Sequence, residues 1–293
     1  MLSSLVVSDP LSRLVDVLAD PNRSLLVVTG AGVSLASGIP TFRGSDPGAV
    51  WKRETTEIGT AEYLERDPVG WWRWVLTLRD TVLDAEPNAA HHALAALEEW
   101  HGGRSGGGFL LVTQNIDLLH ERAGSRLLVK VHGTADRLRC SVFGCEHGAP
   151  AGSLLASDFD LERLRREPCV EHLPRCPRCR AVVRGHVLLF DEYYDEHRDY
   201  QFDRVRLELE QMDVVLFVGT SFSVGVTELA LRAAWARRLP AFSVDPGGHP
   251  APLGPQIVRV DEPAEEALPR LCRQLGIPVE RAERGTRASH GQA

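Results

Sequence analysis

Seven short apolar runs punctuate the chain, each bounded by Gly, Asp or Pro: residues 24–29 (SLLVVT), 109–113 (FLLVT), 127–131 (LLVKV), 186–190 (HVLLF), 213–218 (DVVLFV), 240–244 (PAFSV) and 256–260 (QIVRV). Continuous apolar runs of this length predict strands buried on both faces. Between most of them lie longer segments, 68–84, 88–100, 202–212, 226–238 and 263–275, whose apolar residues recur at helical spacing, with Pro or Asp near several starts. That alternation predicts an α/β fold, a parallel sheet covered by helices on both faces. One interval breaks the rhythm. From about 134 to 185 the strand signal fades and the cysteines gather, which predicts a small inserted module. The expected division is therefore 1–133 and 186–279 as two parts of the main domain, 134–185 as the module, and 280–293 as a flexible, solvated tail.

Composition narrows the function classes. The 33 basic residues are outweighed by 40 acidic ones, a net charge of −7, so there is no global basic field to hold a nucleic-acid backbone. The N-terminal stretch has no basic region and breaks at Pro10, and no run reaches the roughly 18 apolar residues of a membrane span. A cytoplasmic protein, with no membrane and no specific nucleic-acid partner, is expected. Five of the six cysteines fall between positions 140 and 179, a clustering that favours metal over disulfides in a chain without a secretory signal.

Three kinds of motif carry chemistry. The first is the loop Gly30 to Gly44 (GAGVSLASGIPTFRG), which follows the first predicted strand. Glycines here let backbone N–H groups approach a pyrophosphate. Leu35 stands where the dehydrogenase fingerprint has its third glycine, and no acid closes a second strand about 20 residues on, which counts against a nicotinamide dehydrogenase. The second is a set of polar strand ends: Thr113-Gln-Asn-Ile-Asp117, His132-Gly133, Gly219-Thr-Ser221 and Val244-Asp245. In an open α/β sheet such ends converge on the ligand crevice. The third is Cys140-x4-Cys145 with Cys176-x2-Cys179, two chelating knuckles suited to tetrahedral Zn²⁺. Cys169 and His172 offer a competing set with the second knuckle.

In order and spacing these motifs resemble the sirtuin family, over roughly residues 20 to 275. The resemblance implies a Rossmann-like, doubly wound NAD-binding domain with a small zinc module, one structural Zn²⁺ held by Cys140, Cys145, Cys176 and Cys179, and NAD-dependent removal of acyl groups from lysine side chains of a protein or peptide. In that chemistry the acyl oxygen displaces nicotinamide, and a ribose hydroxyl deprotonated by histidine then attacks, so that O-acyl-ADP-ribose is formed. The resemblance assigns the base to His132, with Asn115 and Asp117 beside it. An imidazole suits this role because its ordinary pKa, near 6.5, lets it accept a proton at neutral pH. The implied NAD contacts are Gly30, Ala31, Gly32, Ser34, Ile39, Phe42, Arg43, Gln114, Asn115, Ile116, Asp117, Gly219, Thr220, Ser221, Asp245 and Ala264. Val187, Leu188, Phe190 and Asp191 fall on the implied peptide-docking strand.

The sequence departs from the family pattern at Gly185 and Val226, where proline is usual, and at Asp191, where glycine is usual. Sirtuins that prefer acidic acyl chains carry a Tyr-x-x-Arg pair in the helix corresponding to 68–84, and this helix has no tyrosine. Neutral acyl groups are therefore expected. His120, Trp71, Trp72 and Trp74 read as packing residues. An NAD hydrolase or ADP-ribosyltransferase on the same scaffold is the alternative. A non-enzymatic zinc module would leave the TQNID and HG motifs unexplained.

Overall fold

A computed structural model describes residues 9–41, 53–102, 107–222, 225–247 and 257–279, with only the backbone for 53–55. Phe42, Arg43 and the tail 280–293 lie outside the described residues. The strands are β1 (Leu25–Thr29), β2 (Phe109–Thr113), β3 (Leu128–Lys130), β4 (Gly133–Cys140), β5 (Leu154–Leu155), β6 (Val183–Val187), β7 (Val214–Val218), β8 (Ala241–Val244) and β9 (Val258–Val260). The helices are α1 (Pro10–Leu18), α2 (Arg53–Ile58), α3 (Ala61–Arg66), α4 (Pro68–Asp84), α5 (Ala89–Gly102), α6 (Leu119–Arg122), α7 (Leu161–Arg166), α8 (Phe202–Gln211), α9 (Gly225–Arg237) and α10 (Ala264–Gln274).

Six strands form one parallel sheet in the order β3-β2-β1-β7-β8-β9. On β1, Leu25 and Val27 pack into a core with Leu11 and Leu14 of α1, Leu94 of α5 and Leu271 of α10. Leu26 and Val28 point the other way, into a core with Val205 of α8 and Ala230 of α9. Helices on both faces explain why these strands show no apolar–polar alternation. Each fully buried Leu or Val contributes about 1.5–3 kcal/mol of transfer free energy, so the central strands anchor the fold.

The chain runs outward from β1 through β2 to β3 and returns to place β7 on the other side of β1. The order reverses between β1 and β7, and in such sheets ligands bind beyond the carboxyl ends of the strands at that switch.

The second sheet is antiparallel and small, β5-β4-β6. The apolar run 186–190 predicted one strand, but β6 lies at Val183–Val187 and pairs with β4 instead of joining the parallel sheet. β4 itself occupies part of the interval with little strand signal, because its middle residues Thr134 to Arg137 are only half-buried and mostly polar. Trp71 and Trp72 of α4 pack with Leu138, Cys140 and Val183 in a separate core beneath this sheet, and Trp72 Nε1 donates to the Val183 carbonyl at 2.9 Å.

Candidate active site

The turns after β1 and β7 touch through main-chain hydrogen bonds. Gly30 N donates to Val218 O at 3.0 Å and Gly32 N to Gly219 O at 2.9 Å. A Cβ on Gly32 would sit 2.7 Å from the Gly219 α-carbon. Gly219 also has φ +58°, which favours glycine. The glycines therefore allow two strand-end loops to close on each other, and Ala31 to Ser37 then wind into a short 3-10 turn. Asn88 buttresses that turn, its amide donating to Val33 O at 2.9 Å and Ser37 Oγ at 3.0 Å.

Beneath the turn lies a polar cluster supplied by the end of β2. The register partners Thr29 and Thr113 are joined through their hydroxyls at 2.8 Å, and His120 Nε2 lies 3.1 Å from Thr29 Oγ1. Asn115 Nδ2 donates to Gly30 O and Ser34 Oγ, both at 3.1 Å. Ser34 Oγ donates to Asp117 at 2.9 Å. Burial raises the pKa of Asp117, opposed by the Leu119 N–H, the Ser34 hydroxyl and Lys130. Gln114 Nε2 reaches across the switch point to Thr227 Oγ1 of α9 at 3.0 Å.

His132 follows β3. Its Nδ1 lies 2.7 Å from the carbonyl of Gln114; a carbonyl only accepts, so Nδ1 carries the proton and Nε2 keeps its lone pair. Burial drives the pKa of His132 down to about 4, with the Gln114 carbonyl pulling the other way. The imidazole is thus a neutral base at neutral pH. Gly133 has φ +81°, and the His186 carbonyl fills the space its Cβ would need, which accounts for the His-Gly pair.

These elements line one cleft of about 430 Å³. Gly30, Ala31, Gly32, Gln114, Asn115, Ile116 and His132 lie on its wall, with Gly219, Thr220, Ser221, Asp245 and Ala264 at the β7–β9 end and Val187, Leu188 and Phe190 at the small-sheet end. Three expected contacts stand behind the wall: Ser34 and Asp117 in the buried polar cluster, and Ile39 packed with Ala85 and Leu119. Asp191 is turned elsewhere. Its carboxylate accepts from the backbone N–H groups of Ala61 at 2.8 Å and Glu62 at 3.2 Å, at the start of α3. Trp71, Trp74, Val75, Leu78 and Val82 supply an apolar stripe of α4 along the same cleft.

The four cysteines Cys140, Cys145, Cys176 and Cys179 have sulfurs within 4.8 Å of one another. Cys140 and Cys179 are 3.4 Å apart and Cys145 and Cys176 3.7 Å, near the roughly 3.8 Å edge of a tetrahedron with Zn–S bonds of about 2.3 Å. Backbone N–H groups of Val142, His147 and Ala181 point at three of the sulfurs. The residues fit Zn²⁺. Cys169 lies outside the cluster, and His172 Nδ1 bonds the Glu167 carbonyl at 2.8 Å.

The sequence profile of the Sir2 family matches residues 30–226. The chain belongs to the Sir2 family. It is 35% identical over 263 residues to NAD-dependent protein deacylase 2 of Pyrobaculum aerophilum, covering 89% of this chain and 94% of that one. It is 37% identical over 234 residues to an NAD-dependent protein deacylase of Thermus thermophilus, covering 80% and 82%. The solved structure of a Sir2 homologue in complex with NAD superposes with a TM-score of 0.72 at 31% identity, covering 90% of this chain and 93% of that one.

This Sir2 chain also holds partners that sequence reading missed. Arg139 and Arg184 are register partners on β4 and β6, like charges directly opposite. Glu192 lies between them, 3.0 Å from Arg139 and bonded to Arg184. Burial pushes the Glu192 carboxyl up, but the two guanidiniums outweigh it and leave its pKa lowered. Glu192 also accepts from Leu189 N at 2.9 Å, and so fixes the segment that carries Leu188 and Phe190. Two facing arginines were the one available signal, and it needs the strand register to be seen. Thr227 and Tyr194 gave no signal at all.

Proposed function

We propose that this Sir2 protein is an NAD-dependent protein lysine deacylase that transfers the acyl group to ADP-ribose and releases nicotinamide, with residues 1–133 and 186–279 as its NAD-binding domain and 134–185 as its zinc module. The observation that carries the reading is His132: its Nδ1–H is committed to the Gln114 carbonyl, which makes Nε2 the basic nitrogen, in a cleft at the sheet's switch point. Relatives named NAD-dependent protein deacylases support it, as does a related Sir2 structure that contains NAD.

In this reading His132 Nε2 takes the proton of a ribose hydroxyl, and the Gln114 carbonyl stabilises the imidazolium that results. Asn115 and Gln114 present amides to the ribose and nicotinamide end, and Asp117 with Ser34 holds Asn115 in place from behind. Gly30, Ala31, Gly32 and Gly219 to Ser221 receive the phosphates. Asp245 and Ala264 receive the adenosine, and Ile39 and Ile116 give apolar support. Phe42 and Arg43, which lie outside the described residues, are assigned to NAD by the family resemblance alone. Val187, Leu188 and Phe190 dock the acyl-lysine peptide. Cys140, Cys145, Cys176 and Cys179 would hold zinc, which would supply a structural cross-link. The six free cysteines support a reducing, cytoplasmic location, and the net charge of −7 supports the absence of a specific nucleic-acid partner. No membrane partner is proposed.

The test is incubation with NAD and acyl-lysine peptides, with products identified by mass spectrometry. O-acyl-ADP-ribose and free lysine peptide are expected. Free ADP-ribose with the peptide still acylated would overturn the deacylase reading in favour of an NAD hydrolase, and ADP-ribosylated peptide in favour of a transferase.

A further inference from the structure

Tyr194 stands over the atom that the proposed chemistry uses. Its ring lies parallel to the His132 imidazole, with centroids 5.8 Å apart and planes 10° apart, and also stacks with Phe202 of α8 at 4.4 Å and 11°. Its hydroxyl lies 3.4 Å from His132 Nε2 and 3.3 Å from the backbone nitrogen of Val226 at the start of α9. The directions of these bonds are determined. Val226 N–H only donates, so the tyrosine oxygen accepts there. His132 Nδ1 is protonated because it faces a carbonyl, so Nε2 only accepts, and the tyrosine proton points at it. The result is a one-way relay from Val226 N–H through the Tyr194 hydroxyl to His132 Nε2.

The relay is held from several sides. The turn Tyr194–Glu196 is closed by Tyr193 N donating to Glu196 at 3.2 Å and tied to α8 through Arg206 and Asp195 at 2.6 Å. Burial raises the pKa of Tyr194, so the hydroxyl keeps the proton it offers. Burial and the Gln114 carbonyl act on His132, and burial and the Val226 N–H on Tyr194, so the hydroxyl is not competing with a charged neighbour among the described residues.

We propose that Tyr194 is a positioning residue for His132: its hydroxyl occupies the Nε2 lone pair and fixes the imidazole plane, and it is displaced when a substrate hydroxyl arrives as the proton donor. This rests on the deacylase reading for the identity of that substrate hydroxyl. It does not rest on that reading for the relay itself. A donor to Nε2 favours the neutral imidazole, and a bond as long as 3.4 Å is weak enough to be exchanged for a shorter one.

The deciding measurement is titration of the His132 imidazole by nitrogen NMR in the free protein, with kinetics beside it. Tyr194→Phe keeps both stacks and removes only the hydroxyl. It is expected to raise the His132 pKa by roughly half a unit to one, the worth of one neutral hydrogen bond, and to lower kcat several-fold with KM for NAD within about twofold. Val226→Pro is the second variant: the first residues of a helix make no intrahelical N–H bond, so proline is tolerated there and removes the donor to Tyr194, and because the Val226 side chain is also buried in the core it is read only in protein shown to be folded. It is expected to shift the His132 pKa in the same direction by less. An unchanged His132 titration in folded Tyr194→Phe would overturn the proposal. A wild-type protein inactive on every acyl-lysine peptide would overturn the deacylase reading, and the titration would still decide the relay.

Discussion

Gly32 and Gly219 meet face to face: the Gly32 N–H donates to the Gly219 carbonyl at 2.9 Å, and a Cβ on Gly219 would lie 2.3 Å from Val33 N. No side chain fits between these loops, and Gly219 also has φ +58°. Gly219→Ala must therefore part the loops after β1 and β7, which carry both ends of the cleft. The expected loss is about 2 kcal/mol or more of stability, together with weakened NAD binding by calorimetry. A variant with wild-type melting temperature and NAD affinity would show that the loops do not need this contact.

The state of His132 sets the pH dependence of the reaction. With a pKa pushed down to about 4, the base is deprotonated above that value and lost only as the pH falls through it. An ordinary histidine near 6.5 would cost about tenfold in rate by pH 5.5. Here kcat/KM for an acetyl-lysine peptide is expected to change less than about twofold between pH 7.5 and 5.5. His132→Ala should abolish deacylation yet retain some nicotinamide exchange, because the base acts after the glycosidic bond has broken. A tenfold fall by pH 5.5 would overturn the lowered pKa, and deacylation undiminished in the variant would remove His132 from this role.

One zinc per chain is expected, bound by the four cysteines whose sulfurs lie within 4.8 Å of one another. Structural zinc contributes on the order of 10 kcal/mol or more to folding, so chelation should unfold the small sheet. The competing ligand set separates cleanly. Cys169→Ser should keep one zinc and Cys140→Ser should lose it, as read by metal analysis. A folded protein without zinc would contradict the assignment.

The line between what was legible and what was not follows burial and range. β1, β2 and β7 could be read because burial on both faces demands unbroken apolar runs such as Leu25 to Val28. The strand ends could be read because Gln114, His132 and Gly219 each follow such a run. β4 was hidden, since Thr134 to Arg137 are half-buried and fit neither period. The Gln114 bond to Thr227 and the Tyr194 contacts with His132 and Val226 join residues far apart in sequence, and nothing in a segment such as DEYYDEH marks which side chain turns inward.

The acyl group is expected to be neutral. Trp74, Val75, Leu78 and Val82 present an apolar stripe of α4 to the cleft, with Arg79 on the same wall. Burying a carboxylate against such a stripe costs several kcal/mol unless it is paired. Acetyl- and butyryl-lysine peptides should therefore turn over faster than succinyl-lysine. Arg79→Leu should change that ranking little. Faster turnover of succinyl-lysine, lost in Arg79→Leu, would make Arg79 the acyl-reading residue instead.

Asp191 bears on how the peptide strand is held. A carboxylate next to Phe190 suggests a reader of basic substrate flanks, but both its oxygens accept backbone N–H bonds at the start of α3, from Ala61 and Glu62, and Phe190 N donates to the Gly59 carbonyl at 3.0 Å. The side chain thus pins the segment carrying Phe190 to the turn before α3. Asp191→Gly removes a helix cap, worth about 1 kcal/mol, and frees Phe190 to shift. The melting temperature should fall and KM for acetyl-peptides should rise, equally for peptides with basic and with acidic neighbours of the acylated lysine. Asp191→Asn keeps one acceptor oxygen and should fall between wild type and Asp191→Gly in both readings. If wild type instead prefers basic flanks and Asp191→Gly abolishes that preference without loss of stability, the carboxylate reads the substrate and its contacts with α3 are incidental.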